Sequence, residues 1–560
     1  MNHTSRSLAE HETTLNQAIT ANKTREFYAH WPEPPSGKIY GETANADGQA
    51  AFEARLNKAF VGLDSLNSSG TVGEESSPFG FPLGITYPYL SVETLASNAT
   101  AVAKEWRAIS PKERALILIE CLERASKHFF EIGYATMHTT GQGFVMAFQA
   151  SGPHAFDRAL EAIAMGYSAL EMFNPTAEWT KPMGKMAVTL RKKFVAVPKG
   201  VNCTIGCSTF PLWNSLPGMF ASLITGNTTI AKTHPKVTLP MAIFVASCQQ
   251  TLTELGINPH IIQLGADSSI SPMTFDIAWH PAVTTIDYTG SATIGSKLER
   301  LIVGSNKVLF TEKVGVNCCL IESTDNLDAV LDNLAFGITL YSGQMCTAPQ
   351  NFFIPKNGVM ENGTLIPLSD VASRLAAKID GLVFNEKIGP GTLGALQNPA
   401  TLERLHEASQ LGGTIVRPSA PVAQQGFAGS RTVSPLIMQV TENQKDIYEK
   451  EWFGPIGFVI PVEDFNQGID LMAESAKTHG ALSAAVYTTD DAKKEHAENE
   501  LLYAGAPVAF NFTGPIWVNQ SAAFSDFHGT GANPAGSASF ADLSFVCNRY
   551  NVIGSREKIG

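Results

Sequence analysis

The sequence predicts an α/β protein of two domains, with a few strands left over for contact between copies of the chain. Three observations carry that prediction. Between residues 201 and 311, short β-rich runs alternate with helix-length amphipathic stretches; a second set of the same kind follows residue 312; and an alternating, strand-like run near residue 190 belongs to neither. Short apolar strands separated by long helices bury both faces of a sheet most simply as parallel βαβ units, the architecture of a nucleotide-binding sheet.

Composition narrows the field further. With 560 residues, 44% hydrophobic and 16% charged, the chain is long enough for two or more cores. Its net charge of −12 and lack of a long basic run oppose a polyanion-binding surface, so nucleic acid is not an expected partner. Residues 1–7 hold no apolar leader and nowhere do ~18 apolar residues run unbroken, so the expectation is a cytoplasmic protein with no membrane contact. Eight dispersed cysteines, Cys318 and Cys319 adjacent, do not form a disulfide pattern. Cys203 and Cys207 lack the second Cys or His pair of a zinc site, so they read as packing residues and no metal is expected.

Taken in order, residues 1–85 read as an N-terminal extension draped on the body, polar and broken, with one helical patch at 8–19 and the Pro-rich Trp31-Pro32-Glu33-Pro34-Pro35. Apolar residues at three- and four-residue spacing then mark helices at 92–109, 112–130 and 154–172, and Pro111 suits a first helical turn. Met186–Pro198 reads as a hairpin, alternating Val188, Leu190 and Phe194 with Thr189, Arg191 and Lys193, an edge fit to pair with another subunit. Strands at 201–205, 228–231, 261–264, 283–287 and 308–311 alternate with helices at 211–225, 237–255 and 292–304. Beyond residue 312, strands at 319–322, 351–354, 457–460 and 484–487 alternate with helices at 326–339, 371–379 and 490–502. The tail ends in a candidate intersubunit strand at 545–552.

The chemistry centres on Gly343-Gln344-Met345-Cys346. A cysteine attacks only as its thiolate, and a Gly-Gln lead-in lets backbone N–H groups approach the sulfur. Glu312, on the turn Glu312-Lys313-Val314-Gly315 after a strand-like run, is a carboxylate suited to activating the water that cleaves a sulfur adduct. Alone the pair is weak, because a lone cysteine is more often a small buried hydrophobe. Thr289-Gly290-Ser291 ends one strand and opens a helix, so free N–H groups and the helix dipole face an anion such as a pyrophosphate; the same residues also suit an ordinary helix cap. Lys232 stands at the end of a strand, where open α/β sheets bind ligands. The formal G-x-G-x-x-G at Gly389–Gly394 follows no strand and reads as a turn.

Taken together with Glu451-Trp452-Phe453-Gly454-Pro455, these segments resemble the aldehyde dehydrogenase superfamily from about Leu90 to about Asn548. The resemblance implies Cys346 as nucleophile, Glu312 as general base, and Lys232, His234, Gly290, Ser291, Gly295, Glu451 and Phe453 around an NADP or NAD cofactor. It also implies a division into a dinucleotide-binding domain (86–182 and 200–311), a catalytic domain (312–535) and oligomerisation strands (183–199 and 536–560), hence a homodimer or a dimer of dimers acting on a small-molecule aldehyde. The stretches 206–214, 341–351 and 518–531 are similar to a branch that works in phenylacetate degradation, which implies a semialdehyde substrate carried on coenzyme A. Some members of that branch carry a fused hydratase-like domain, which is not expected within these 560 residues.

Two departures bear on the site. The family usually has Asn before Phe-Pro where this chain has Thr209, so Thr209 is expected to serve the oxyanion with the Cys346 N–H. Asn214 competes for that role, yet on a helix starting near Pro211 it would project elsewhere. The acidic residue usual three positions after the cofactor lysine is Pro235 here, and with Lys232, His234 and Lys236 nearby NADP is expected to serve at least as well as NAD. Two rivals stay open: a dehydrogenase that releases an acyl-CoA, and a non-catalytic scaffold that kept the fold.

Overall fold

The computed structural model describes residues 8–559 apart from 64–66, 314, 515, 517–522 and 526–528; Val314 and much of the stretch 518–531 lie outside the described residues. The first sheet has five parallel strands in the order Val308–Lys313, Val283–Gly290, Val201–Ile205, Thr228–Lys232, Ile262–Gly265. From Val201–Ile205 the chain winds outward on one side, then crosses back to build the other. The point of reversal lies between Val201–Ile205 and Val283–Gly290, and the crevice at their carboxyl ends is where open α/β sheets take ligands. Val201–Ile205 and Thr228–Lys232 are buried at every residue, as the inner strands of a sheet covered on both faces must be.

The second sheet has seven strands in the order Thr414–Arg417, Leu436–Gln439, Ile456–Val462, Asn351–Pro355, Cys318–Ile321, Ala484–Tyr487, Val508–Phe510, parallel except for the first pair. Cys318 and Cys319 face opposite sides of it, each in its own apolar cluster. The two-domain α/β expectation is thus borne out.

The flap differs from the expected hairpin. Met186–Pro198 is one continuous strand, the centre of a three-stranded antiparallel sheet with Thr176–Met183 and Tyr550–Lys558. The turn lies earlier, at Gly184 and Lys185, where Gly184 supplies φ +66° between paired Met183 and Met186. The expected tail strand at 545–552 also shifts. Asp542 caps a short helix, Leu543–Cys547, by accepting from Ser544 N–H, and the strand starts at Tyr550. Before it, Arg549 is buried in the first lobe, its guanidinium forked on Asp287 (2.6 and 2.8 Å) and stacked over Phe310. Residues 536–549 therefore dock on the body, and only the last strand joins the flap.

The N-terminal extension shares the core instead of draping over it. Helix Glu12–Thr24 packs on Pro153–Glu171, and Trp31 meets Phe129 and Phe156 edge-on. A helix the sequence did not announce, Ala44–Arg55, lies on Phe129–Thr140. Its low apolar content hid it, and Gly48 makes the approach possible: a Cβ there would sit 2.3 Å from the Phe130 Cβ. Among the described residues no helix is long and apolar enough to cross a membrane, and no cluster of three or more metal-ligating side chains occurs.

Candidate active site

Glu312 lies near the carboxyl end of Val308–Lys313, in register with Thr289 of the neighbouring strand, and is buried. Cys346 follows a turn in which Tyr341 (φ 51°, ψ 33°) and Ser342 (φ 51°, ψ 40°) both adopt the left-handed conformation. For residues with a Cβ this costs about 1–2 kcal/mol each, so surrounding bonds must hold the turn. Tyr341 Oη donates to Thr140 O (2.6 Å), Ser342 Oγ to Leu393 O (3.0 Å), and Gln344 Nε2 to Tyr341 O and Ala395 O (both 3.1 Å), while Gln344 Oε1 accepts from Gln397 N–H (2.9 Å). Gly343 has φ +63°, and a Cβ there would fall 2.4 Å from Gly454 O. The main chain at the nucleophile is gripped by Asn317, whose Nδ2 donates to Cys346 O (2.8 Å) and Ala348 O (2.9 Å) while its Oδ1 accepts from Leu482 and Ser483 N–H. Nothing in the sequence pointed to Asn317.

Two cavities meet at Cys346. One, about 560 Å³, runs along the carboxyl edge of the first sheet and is lined by Thr209, Asn214, Lys232, His234, Gly290, Ser291, Glu312, Arg404, Glu451 and Phe453. The other, about 540 Å³, is walled by apolar residues such as Phe144, Met146, Trp213, Phe336, Leu340 and Met345, with His154 and Lys387 among its few polar groups. Among the described residues the two share Cys346 and Phe210 alone. Glu33 of the N-terminal extension pairs with His154 (2.9 Å), so the extension supports the apolar cavity.

The sequence-predicted residues fall into place unequally. Ser291 caps helix Ala292–Leu301 by accepting from Ile294 N–H, at the mouth of the polar cleft. Gly295 does not line the cleft. Its N–H is engaged by Ser291 O, and a Cβ there would meet the Lys313 side chain at 2.7 Å and the Tyr288 ring at 3.1 Å, so glycine serves close packing behind the wall. Lys232 Nζ is 2.9 Å from the Asp267 carboxylate with both side chains buried, so its charge is already matched. Burial, with Lys232 and Lys236 adding, pushes His234 down to about 4, and its Nδ1 accepts from Lys236 N–H (3.2 Å). Of the positive or hydrogen-bonding groups expected around a 2′-phosphate, Lys236 is the exposed cation. Asp267 was readable in principle, being an acid just past the carboxyl end of Ile262–Gly265, the strand beside that of Lys232.

Glu451 and Phe453 both reach the cleft. Burial pushes the Glu451 carboxyl up to about 8, with Arg404 opposing, and its Oε1 is buried with no hydrogen-bond partner among the described residues. Such an acceptor awaits a donor. A dinucleotide fits these residues: the helix start at Ser291 for its phosphates, Lys232 for one ribose and the orphaned Glu451 oxygen for hydroxyls of the other.

Thr209 lines the cleft with Cys346, but Asn214 lies otherwise than expected. Residues 211–215 form a turn and the helix begins only at Leu216, so Asn214 swings into the site and its Nδ2 donates to Glu312 Oε1 (3.1 Å). Thr209 is buried; its hydroxyl donates to Cys207 Sγ (3.8 Å) and its carbonyl accepts from Gln142 Nε2 (2.8 Å). Cys207, read from sequence as packing, lines the same cleft, where its thiol donates to Asn214 Oδ1 (3.5 Å).

Comparison with known proteins agrees with this geometry. Residues 89–538 match the model of the aldehyde dehydrogenase family. The chain superposes on the crystal structure of an NAD-dependent aldehyde dehydrogenase from Burkholderia multivorans with a TM-score of 0.95 and 41% identity, covering 99% of each chain. It is 24% identical over 442 residues to 1-pyrroline-5-carboxylate dehydrogenase 1 of Halalkalibacterium halodurans, covering 76% of this chain and 78% of that protein. The Thermus 1-pyrroline-5-carboxylate dehydrogenase with bound NAD shares the fold, with a TM-score of 0.74 at 16% identity over 95% of this chain and 99% of that one.

Proposed function

The chain belongs to the aldehyde dehydrogenase family, and from that premise we propose that it oxidises an aldehyde to a carboxylic acid, with Cys346 as nucleophile and Glu312 as general base. The Cys346 thiolate adds to the aldehyde carbon to give a thiohemiacetal. A nicotinamide dinucleotide bound in the polar cleft, NAD or NADP, would accept the hydride from that carbon. Glu312 then takes a proton from water as the water attacks the Cys346 thioester, and the acid leaves as the thiol is restored. Lys232, Ser291 and Glu451 would hold the dinucleotide, and Phe453 would border it. The oxyanion is met by the Cys346 N–H with Thr209 or Asn214.

The observation that carries this reading is the position of Cys346 at the junction of two cavities, one lined by Glu312 and the dinucleotide-fitting residues, the other apolar. A water-activating carboxylate beside the junction supports hydrolysis over transfer to coenzyme A, which needs no such base. The substrate we infer is a semialdehyde of aerobic phenylacetate breakdown linked to coenzyme A, as for the phenylacetic acid degradation protein PaaN, which the stretches at 206–214 and 341–351 resemble. The aromatic and thioether walls of the second cavity suit the apolar part of such a molecule. The exposed apolar groups of the flap, Met183, Met186, Phe194, Val552 and Ile553, support its use in pairing subunits.

An aldehyde panel followed by dinucleotide absorbance, with coenzyme A-linked semialdehydes included and coenzyme A added or withheld, tests the proposal. Turnover without added coenzyme A and release of free acid are expected. No oxidation of any aldehyde, or oxidation only with coenzyme A present, overturns it.

A further inference from the structure

The two residues that the sequence set in competition, Thr209 and Asn214, are joined by a third. We propose that Cys207 is a positioning residue for the base: its thiol proton fixes the amide of Asn214, which in turn fixes the Glu312 carboxylate beside the Cys346 adduct. The inference rests on Glu312 being the base.

The polarity of this chain follows from what each group can give. A carboxylate only accepts, so the side of Asn214 that lies 3.1 Å from Glu312 Oε1 is its Nδ2. Its Oδ1 is then the atom 3.5 Å from Cys207 Sγ, and a carbonyl oxygen also only accepts. The thiol must therefore supply the proton. Its sulfur meanwhile accepts from Phe210 N–H (3.3 Å) and from the Thr209 hydroxyl (3.8 Å), which leaves the S–H aimed at Asn214. Burial, with Glu312 among the lesser contributors, pushes the Cys207 thiol up and keeps it protonated.

The arrangement is local and built by the turn before Leu216–Ile224. Cys207, Thr209 and Phe210 close a loop around the sulfur, and the 211–215 turn delivers Asn214 to the open side of it. Gln142 holds the loop from outside through Thr209 O. Without the thiol proton the Asn214 amide loses its anchor and can turn over, presenting an oxygen to Glu312 where a donor is needed. With the oxyanion served by the Cys346 N–H and Thr209, chemistry on Cys346 up to the thioester does not need that alignment, whereas water attack does.

Rapid mixing with an aldehyde the parent oxidises, phenylacetaldehyde in the first instance, separates the two stages. Cys207→Ala should keep a burst near one reduced dinucleotide per site while the steady rate falls on the order of 10- to 100-fold. Cys207→Ser, which restores a donor, should run within about threefold of the parent. Thermal midpoints are recorded alongside, and Cys207→Val, without the proton, gives the same reading should the alanine variant not fold. A donorless variant with the parent's steady rate, a burst and steady rate falling in equal proportion, or a serine variant no faster than the alanine one overturns the inference. Glu312→Gln is run in parallel: if it shows no burst followed by a stall, the base assignment itself fails and the inference with it, whereas an intact split makes the Cys207 results bear on the inference alone.

Discussion

The nucleophile and the base are held in different ways. Cys346 is fixed by its main chain: two left-handed residues, a glycine pressed against Gly454 O, and Asn317 clasping the Cys346 carbonyl. Glu312 has an ordinary strand backbone and is aimed by side chains, through Asn214 and Cys207. Damage around the nucleophile should therefore reach every stage of the reaction and the stability of the fold, while damage around the base should reach only the stage that uses water.

The sharpest break is Cys346→Ala. Oxidation should fall on the order of 10⁴-fold or more while dinucleotide binding persists, since the sulfur makes the adduct and does not hold the cofactor. Turnover assays paired with fluorescence titration of the dinucleotide check it. Glu312→Gln comes next, with one fast equivalent of reduced dinucleotide and then a steady rate down about 10²- to 10⁴-fold. Stopped-flow absorbance reads both phases, and absence of the burst would overturn Glu312 as the base of the hydrolytic stage.

Gly343→Ala probes the other side of the comparison. A Cβ at φ +63° and 2.4 Å from a carbonyl oxygen should cost about 2 kcal/mol or more by denaturant titration, and burst and steady rate should fall together. A selective loss of the steady phase would erase the distinction between the two holds. The smallest effect concerns cofactor choice. With Lys232 matched by Asp267 and His234 neutral, kcat/KM for NAD should equal or exceed that for NADP, reversing the expectation from sequence. Pro235→Glu should then lower NADP use about tenfold further, a difference of roughly 1.4 kcal/mol. A tenfold preference of the parent for NADP would show that Lys236 alone suffices.

Strand–helix alternation revealed both sheets because strands buried on two faces advertise themselves as β-branched runs, and the segments around Glu312, Cys346 and Ser291 read clearly because their turns need particular residues. The strands Thr414–Arg417, Leu436–Gln439 and Val508–Phe510, at the margins of the second sheet, did not register: each is short and, unlike the equally short Cys318–Ile321 and Ala484–Tyr487, none is buried at every residue. Helix Ala44–Arg55 was hidden because a small, polar helix can be held by a glycine contact, Phe52 and polar bonds such as Arg55–Glu131 and Asn45–Tyr134. The placement of Asn214 was misjudged for a single reason, a helix start placed five residues early, which rotated Asn214 out of the site. The Lys232–Asp267 pairing joins the ends of two neighbouring strands and was readable only in principle, and the Cys207–Asn214 pairing, though local, depends on the 211–215 turn that an early helix start concealed.

The meeting of the two cavities at Cys346 and Phe210 has a consequence for traffic in the proposed mechanism. The apolar cavity reaches solvent past exposed Val145, Lys387 and Ile388, whereas the polar cleft opens along the edge of the first sheet. In the proposed mechanism the reacting sulfur thus has two doors. An acid leaving by the apolar door need not pass a dinucleotide lodged in the other, so neither has to queue behind its partner.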